Sequence, residues 1–482
     1  MKILRDIIYG VDLDSIKGDT NLTIKSIEYD SRKVKKESLF VAIKGGNIDG
    51  HSFIDEAIEN GASAVIYSDY NFKDQKTTFI KTPNTRKSLS IVSSNFYENP
   101  SKKIKLVGIT GTNGKTTVAS ILFDLFNKTG IKSGLISTIN IKYAGVEIES
   151  HHTTPDSIKI NELLCKMLEN EIEFCFMEVS SHGIDQDRIN GLKFCYGVFT
   201  NITRDHFDYH KSFASYRDVK KKFFDSLSSD SFAIINADDK NSKFMVQNCL
   251  SKIKTFGIKN LADNNAKILE IDFSGMLLKI NNKEFWTPLI GKFNVSNLLA
   301  VFSVANVAGI KSIEILRILS QTKGANGRFE ILKTPNNAFV IIDYAHTPNS
   351  LENVIDTISQ IRTKNELFVT IIGCGGDRDA GKRSKMGKIV LNGCDKVIFT
   401  SDNPRYEEPE KIIDDMLFGI DPNNIKKISK IINRREAIKK GCSQLNSGDI
   451  LLVVGKGHET YQEIKGEKIP FSDIKIVKES FS

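Results

Sequence analysis

The stretch Leu106-Val107-Gly108-Ile109, followed by Gly111-Thr112-Asn113-Gly114-Lys115-Thr116-Thr117, constrains the fold more than any other part of this chain. The short apolar run reads as a buried strand and the glycines as a tight turn. Val118, Ile121, Leu122 and Leu125 then recur at helical spacing up to Gly130. A strand, a glycine-rich turn and a helix in that order open a βαβ unit. Apolar runs at 174–179, 198–202 and 232–235, separated by amphipathic stretches, predict that the unit repeats into a parallel sheet.

The turn also predicts chemistry. Glycines let backbone N–H groups curl around phosphate oxygens, a helix N-terminus adds positive potential, Lys115 reaches terminal phosphates and the Thr116 hydroxyl suits Mg²⁺. Strict Walker spacing would put a glycine at 109, where the chain has Ile109, which argues against ordinary GTPases and motors.

At about 100–200 residues per domain, 482 residues predict three domains, at 1–100, 101–327 and 328–482. The first carries runs at 38–43 and 64–67 and a helix from Phe53 to Asn60, and ends at Tyr97-Glu98-Asn99-Pro100-Ser101. The last begins after Gly324-Ala325-Asn326-Gly327, with runs at 339–342, 367–372, 396–399 and 450–454. The expected class is α/β: a small α/β domain, a central P-loop ATPase-like parallel sheet and a C-terminal Rossmann-like domain. With 26% charged residues, 40% apolar residues and no apolar run near the ~18 residues a membrane helix needs, a cytoplasmic chain without membrane insertion is expected. Seven Cys without a C-x-x-C read as reduced thiols. The net charge of +8 is dispersed among acids, so no nucleic-acid partner is expected.

Glu178 ends one apolar run and His206 follows the next, both on the sheet edge where the phosphate loop should open. They are candidates for metal ligation or general base work. In the predicted helix 213–227, Lys220 falls inside the stripe of Phe213, Tyr216, Phe223, Phe224 and Leu227, with Lys221 and Lys222 turned to solvent. A lysine there snorkels out, or it is paired, neutralised or chemically altered, for instance by CO₂ to a carbamate able to ligate Mg²⁺.

Taken with M-E-V-S-S-H-G, D-H-F-D-Y-H, G-K-F-N-V-S-N, G-R-F-E, D-Y-A-H-T-P, G-G-D-R-D, D-N-P-R and G-K-G-H-E, the phosphate loop makes the sequence similar to the Mur ligases. The resemblance implies an ATP-dependent amide ligase of peptidoglycan precursor synthesis, nearest the branch that adds meso-diaminopimelate to UDP-N-acetylmuramoyl-L-alanyl-D-glutamate. It implies small-molecule substrates only and a monomer, with ATP and two Mg²⁺ ions. Lys220 matches the family's carbamylated lysine; with Thr116, Glu178 and His206 it stands near the two ions. Gly111 to Thr117, Asn294, Arg328, Asp343 and His346 match residues around ATP. Tyr29, Ser31, Gly46, Asn47, Ile48, His152, Thr153, Thr154, Ser180, Gln186 and Arg188 match positions that hold the UDP-muramoyl dipeptide. Arg378, Asp402, Asn403, Pro404, Arg405, Gly455 and Glu459 match contacts to diaminopimelate. Among these Arg405 suits the second carboxylate, because a guanidinium binds a carboxylate through two parallel hydrogen bonds. A surface pairing of Arg405 with Glu407 or Glu408 is the bland alternative. An L-lysine-adding ligase or a folylpolyglutamate-synthetase-like enzyme is the rival activity.

Overall fold

A computed structural model describes residues 2–45, 48–71, 76–150 and 152–481. The phosphate-loop unit folds as expected: strand β1 (Lys105–Thr110) runs into helix α1 (Lys115–Lys128), whose buried face includes Val118, Ile121, Leu122 and Leu125. Parallel pairing places β2 (Phe174–Glu178) on one side of β1 and β3 (Tyr196–Phe199) on the other. Their C-terminal ends therefore open on one edge, beside the turn. Both faces of this sheet are covered, one by α1 with helix α3 (Lys292–Val307), the other by helix α2 (Phe213–Asp225) and its neighbours. Strands buried on both faces are continuous apolar runs, which is why the sequence exposes them.

Among the described residues this sheet has eleven strands, more than the apolar runs indicate. The additions include an antiparallel hairpin at Asn140–Glu149 and a meander from Asn264 to Thr287. Half-exposed strands such as Asn264–Asp272 carry mixed polarity and produce no apolar run.

A five-stranded sheet precedes it, from Ser15–Lys17 to Thr78–Lys81. The helix expected at 53–60 spans Ile54–Glu59 and is entered through a 3₁₀ turn, Gly50–Phe53, capped by Asp49. A six-stranded sheet follows, in which β4 (Phe339–Asp343) lies parallel to β5 (Ile450–Val454). A separate hairpin of β6 (Tyr461–Ile464) and β7 (Glu467–Pro470) closes the chain's last loop region. All seven cysteines are free thiols. No described helix is long and apolar enough to cross a membrane.

Candidate active site

Two glycines shape the phosphate loop. Gly111 (φ 152°) would bring a Cβ to 1.9 Å from Thr200 Oγ1, and Gly114 (φ 88°) would bring one to 2.4 Å from Asn297 Oδ1. Only glycine accepts both the space and the left-handed backbone at 114. The loop is tied to the end of β3: Thr112 N donates to Asn201 O at 2.8 Å, and Asn113 N to Asn201 Oδ1 at 3.0 Å. Lys115 Nζ folds back onto the carbonyl oxygens of Gly111 and Thr112, both at 2.9 Å. Burial holds its ammonium below the usual lysine range.

Lys220 does not snorkel. Its side chain is 1% exposed and Nζ donates to Gly111 O at 3.1 Å and lies 3.4 Å from Thr110 Oγ1. No described carboxylate is within ion-pair distance of it. Burial, with Lys115 adding to it, pushes this amine well below its ordinary value. The placing of Lys221 in solvent is corrected: it is buried, ion-paired to Asp225 at 2.6 Å one turn along the helix and lies over the Phe244 ring. Lys222 is exposed as expected.

Glu178 is fully buried at the end of β2, where Oε1 accepts from Thr138 N at 2.8 Å. The Thr138 hydroxyl lies 3.1 Å from both Glu178 Oε2 and Thr153 Oγ1. His206 sits at φ 55° beside Asp205, with its Nε2 3.4 Å from the Asp205 carboxylate and its ring 4.9 Å from that of His182. Burial keeps His182 and His206 below the ordinary imidazole value and takes His210 down to about 4. Neutral imidazoles are the metal-binding form.

A cavity of about 250 Å³ adjoins the loop, lined by Asn113, Gly114, Thr117, Asn297, Arg328, Asp343 and Tyr344 among others. Asn294 stands one step behind it, accepting from Asn297 Nδ2 at 3.3 Å. His346 is also set back, with Nδ1 2.9 Å from Tyr344 O. The Asp343 carboxylate accepts from Phe329 N at 2.6 Å and Ala345 N at 2.7 Å, and burial pushes it up to about 6. Arg328 spans to the loop, its Nη2 3.5 Å from Thr116 Oγ1, and stacks on Tyr344.

A larger cavity, about 610 Å³, gathers Tyr29, Ser31, Ile48, His152, Gln186 and Arg188. Gly46 and Asn47 lie outside the described residues. Thr154 and Ser180 form a relay behind the wall rather than lining it, and Thr153 meets the Thr138 hydroxyl instead. Arg188 Nη1 donates to Thr154 O at 2.6 Å, Thr154 Oγ1 to Glu178 O at 2.8 Å, and Ser180 N to Thr154 Oγ1 at 2.9 Å. The relay ends on the main-chain carbonyl of Glu178, whose carboxylate is held separately by Thr138.

The D-N-P-R loop meets the G-K-G-H-E loop after β5. Gly455 (φ 111°) backs onto Asp402, where a Cβ would come within 2.4 Å of Oδ2. Glu459 Oε2 accepts from Asn403 Nδ2 at 2.9 Å and from the fully buried Lys456 Nζ at 2.6 Å. Pro404 O accepts from Glu407 N, and a Cβ on Gly376 would meet that oxygen at 1.9 Å. Arg405 pairs with neither Glu407 nor Glu408: Nε donates to Glu463 Oε2 at 3.1 Å and Nη1 to Gly376 O at 2.7 Å. Glu407 is taken by the buried Arg383. Exposed Arg378 shares the Gly375 loop with Arg405, and its charge contributes to lowering His182. Arg204 Nη2, 3.4 Å from Asp379 Oδ2, ties this loop to the end of β3.

Sequence reasoning overlooked Thr138, Arg204, Lys456 and Glu463. Lys456 stands inside a quoted motif and was legible as a charge in an apolar strand end; the other three act through pairings of distant segments.

An α/β chain with a glycine-cradled phosphate loop, a buried lysine beside it and an arginine reaching in from the following sheet defines a phosphoryl-using ligase architecture. The comparisons agree with that class. Residues 23–105 match the Mur ligase family catalytic domain, 109–305 the Mur ligase middle domain and 327–457 the Mur ligase glutamate ligase domain. The UDP-N-acetylmuramoyl-L-alanyl-D-glutamate–2,6-diaminopimelate ligase of Cytophaga hutchinsonii is 46% identical over 99% of this chain and 98% of its own. A solved structure under the same enzyme name is 30% identical, with a TM-score of 0.70 over 100% of this chain and 98% of that one. The MurF ligase of Thermotoga maritima in complex with ADP shares the fold, at 18% identity and a TM-score of 0.63, over 95% of this chain and 97% of that one. The chain belongs to the Mur ligase family.

Proposed function

We propose that this enzyme adds meso-2,6-diaminopimelate to the D-glutamate side-chain carboxylate of UDP-N-acetylmuramoyl-L-alanyl-D-glutamate, using ATP, in peptidoglycan precursor synthesis. The relatives' shared activity supports the reading. The observation that carries it is the pair of contacts drawing the carboxy-terminal region onto the central sheet's edge, Arg328 to Thr116 at the phosphate loop and Arg204, beyond the end of β3, to Asp379. Through them a nucleotide, a carboxylate and an amine reach one edge.

In this reading residues 1–100 hold the uridine nucleotide, 101–327 hold ATP and 328–482 hold the amino acid. The large cavity takes the UDP-muramoyl dipeptide through Tyr29, Ser31, Gln186 and Arg188. The small one takes the adenosine and phosphates of ATP. The γ-phosphoryl group passes to the D-glutamate carboxylate, making an acyl phosphate and ADP. Diaminopimelate nitrogen then attacks that carbonyl and inorganic phosphate leaves. A carboxylate alone cannot expel oxide, so phosphorylation supplies the leaving group. Lys115 and Arg328 offset the negative charge of the transferring group, and closure of the carboxy-terminal domain during the reaction would orient the reactants and limit hydrolysis.

Two Mg²⁺ ions fit the residues present. Among the described residues no three His, Cys, Asp or Glu side chains form a ready-made metal cage. Mg²⁺ keeps water and takes substrate phosphates with one or two carboxylates, and the Thr116 hydroxyl and Glu178 carboxylate are oxygen donors of that kind. Thr116, Glu178, His206 and a carbamate on Lys220 would hold it, and bound there it neutralises phosphate charge. The amine of Lys220, buried without a carboxylate partner, is of the kind that adds to CO₂ with loss of one proton. The same reading has the chain working as a cytoplasmic monomer.

The test is ADP release by purified enzyme. It should require the UDP-muramoyl dipeptide together with an amino acid and favour meso-diaminopimelate; a preference for L-lysine would overturn the substrate assignment.

A further inference from the structure

Arg405 enters the site already committed. It adopts φ 53°, a left-handed backbone uncommon for a long side chain, and its main chain is clamped by β6: Arg405 N donates to Glu463 O at 3.1 Å and Lys465 N to Arg405 O at 2.7 Å. The same hairpin supplies the side-chain partner, Glu463, and the pair is mostly buried, with side-chain exposures of 18% and 25%. Glu463 takes Nε, and Gly376 O takes one hydrogen of Nη1. Among the described residues nothing accepts from Nη2. A guanidinium offers a carboxylate two bidentate edges, one using Nε and the other using the two terminal nitrogens. Glu463 accepts at the first and Gly376 O accepts from one nitrogen of the second, so Nη2 and the remaining hydrogen of Nη1 are what the fork has left for a further carboxylate.

We infer that Glu463 is a specificity-setting residue for the second carboxylate of the amino-acid substrate, acting through Arg405. It has two opposed effects: the Nε bond orients the fork, and the negative charge offsets part of the attraction for an incoming carboxylate. The inference rests on the reading of diaminopimelate as substrate. The hairpin does not depend on this side chain for its place, because Glu463 N also donates to Asn403 Oδ1 at 2.9 Å. Substitutions at 463 therefore alter the fork without removing the clamp.

The two effects separate in two variants. Glu463→Gln keeps an oxygen for Nε and removes the charge, so KM for meso-diaminopimelate should fall about threefold, the scale of a partly exposed ion pair. Glu463→Ala also frees the fork, and ordering that side chain on binding should raise KM above wild type by about threefold or more. KM for ATP should stay at its wild-type value in both. The preference for meso-diaminopimelate over L-lysine, measured as the ratio of kcat/KM, should rise in the first variant and fall in the second. If the two variants shift KM for meso-diaminopimelate alike, or not at all, Glu463 has no such role. If wild-type enzyme does not turn over meso-diaminopimelate, the substrate reading fails first and takes this inference with it.

Discussion

Lys115 and Lys220 direct their amines onto the same atom, the carbonyl oxygen of Gly111, at 2.9 and 3.1 Å. Two ammonium groups sharing one neutral acceptor in a buried site repel each other, and no described carboxylate pairs with Lys220. One of the two is therefore best carried as a free amine, and the fully buried Lys220 is the one that burial and its neighbour both discharge.

That cost is measurable. The unfolded chain binds a proton at Lys220 with an ordinary value near 10.5, whereas the folded chain binds it more weakly. Stability is therefore fully present above pH 10.5 and lost as pH falls toward the folded value. In CO₂-free, substrate-free buffer, Lys220→Met should raise the Tm at neutral pH by at least about 2 °C, with the gain shrinking toward pH 10.5. Calorimetry across that range tests it, and a variant less stable than wild type at neutral pH would contradict it.

Lys220→Ala should lower kcat by about 10²- to 10³-fold, with partial recovery when short carboxylates are added. Steady-state ADP release with and without added carboxylate reads both effects; full activity in the variant would remove Lys220 from the chemistry.

Arg405→Ala should raise KM for meso-diaminopimelate by about 10- to 100-fold, the worth of a charge-assisted hydrogen-bonded pair, and leave KM for ATP little changed. Equal losses for both substrates would place Arg405 outside the amino-acid site.

Burial keeps His206 below the ordinary imidazole value, so it is neutral and able to ligate at physiological pH. His206→Ala should raise the Mg²⁺ concentration for half-maximal activity by about 10-fold or more. A magnesium titration at saturating ATP decides the point.

Gly114→Ala meets both a φ of 88° and a contact of 2.4 Å with Asn297 Oδ1. The strain should lower stability by about 1–3 kcal/mol and weaken ATP binding with it. Denaturant unfolding and nucleotide titration of one preparation test the two losses together.

Local pattern carried much of this into the sequence. The glycine spacing and the helical recurrence of Val118 to Leu125 are set within one strand–turn–helix unit, and the stripe on 213–225 places Lys220 inward. Lys221 escaped the same reasoning because its neighbours are non-local in part: Phe244 arrives from a later helix to cover the side chain that Asp225 neutralises. The strands from Asn264 to Thr287 escaped because their residues are only partly buried, so core and water-facing positions mix along them.

Sequence by itself determined the parts: a phosphate loop, an inward lysine, acids at strand ends and an arginine with a motif around it. Tertiary structure alone decided the pairings, giving Arg405 to Glu463 rather than Glu407, Arg328 to Thr116 and both lysines to Gly111. Periodicity and turn chemistry are properties of adjacent residues and can be read in order along the chain. Hydrogen bonds and Coulomb interactions change within a few ångströms, and those distances are set by how segments tens to hundreds of residues apart pack together.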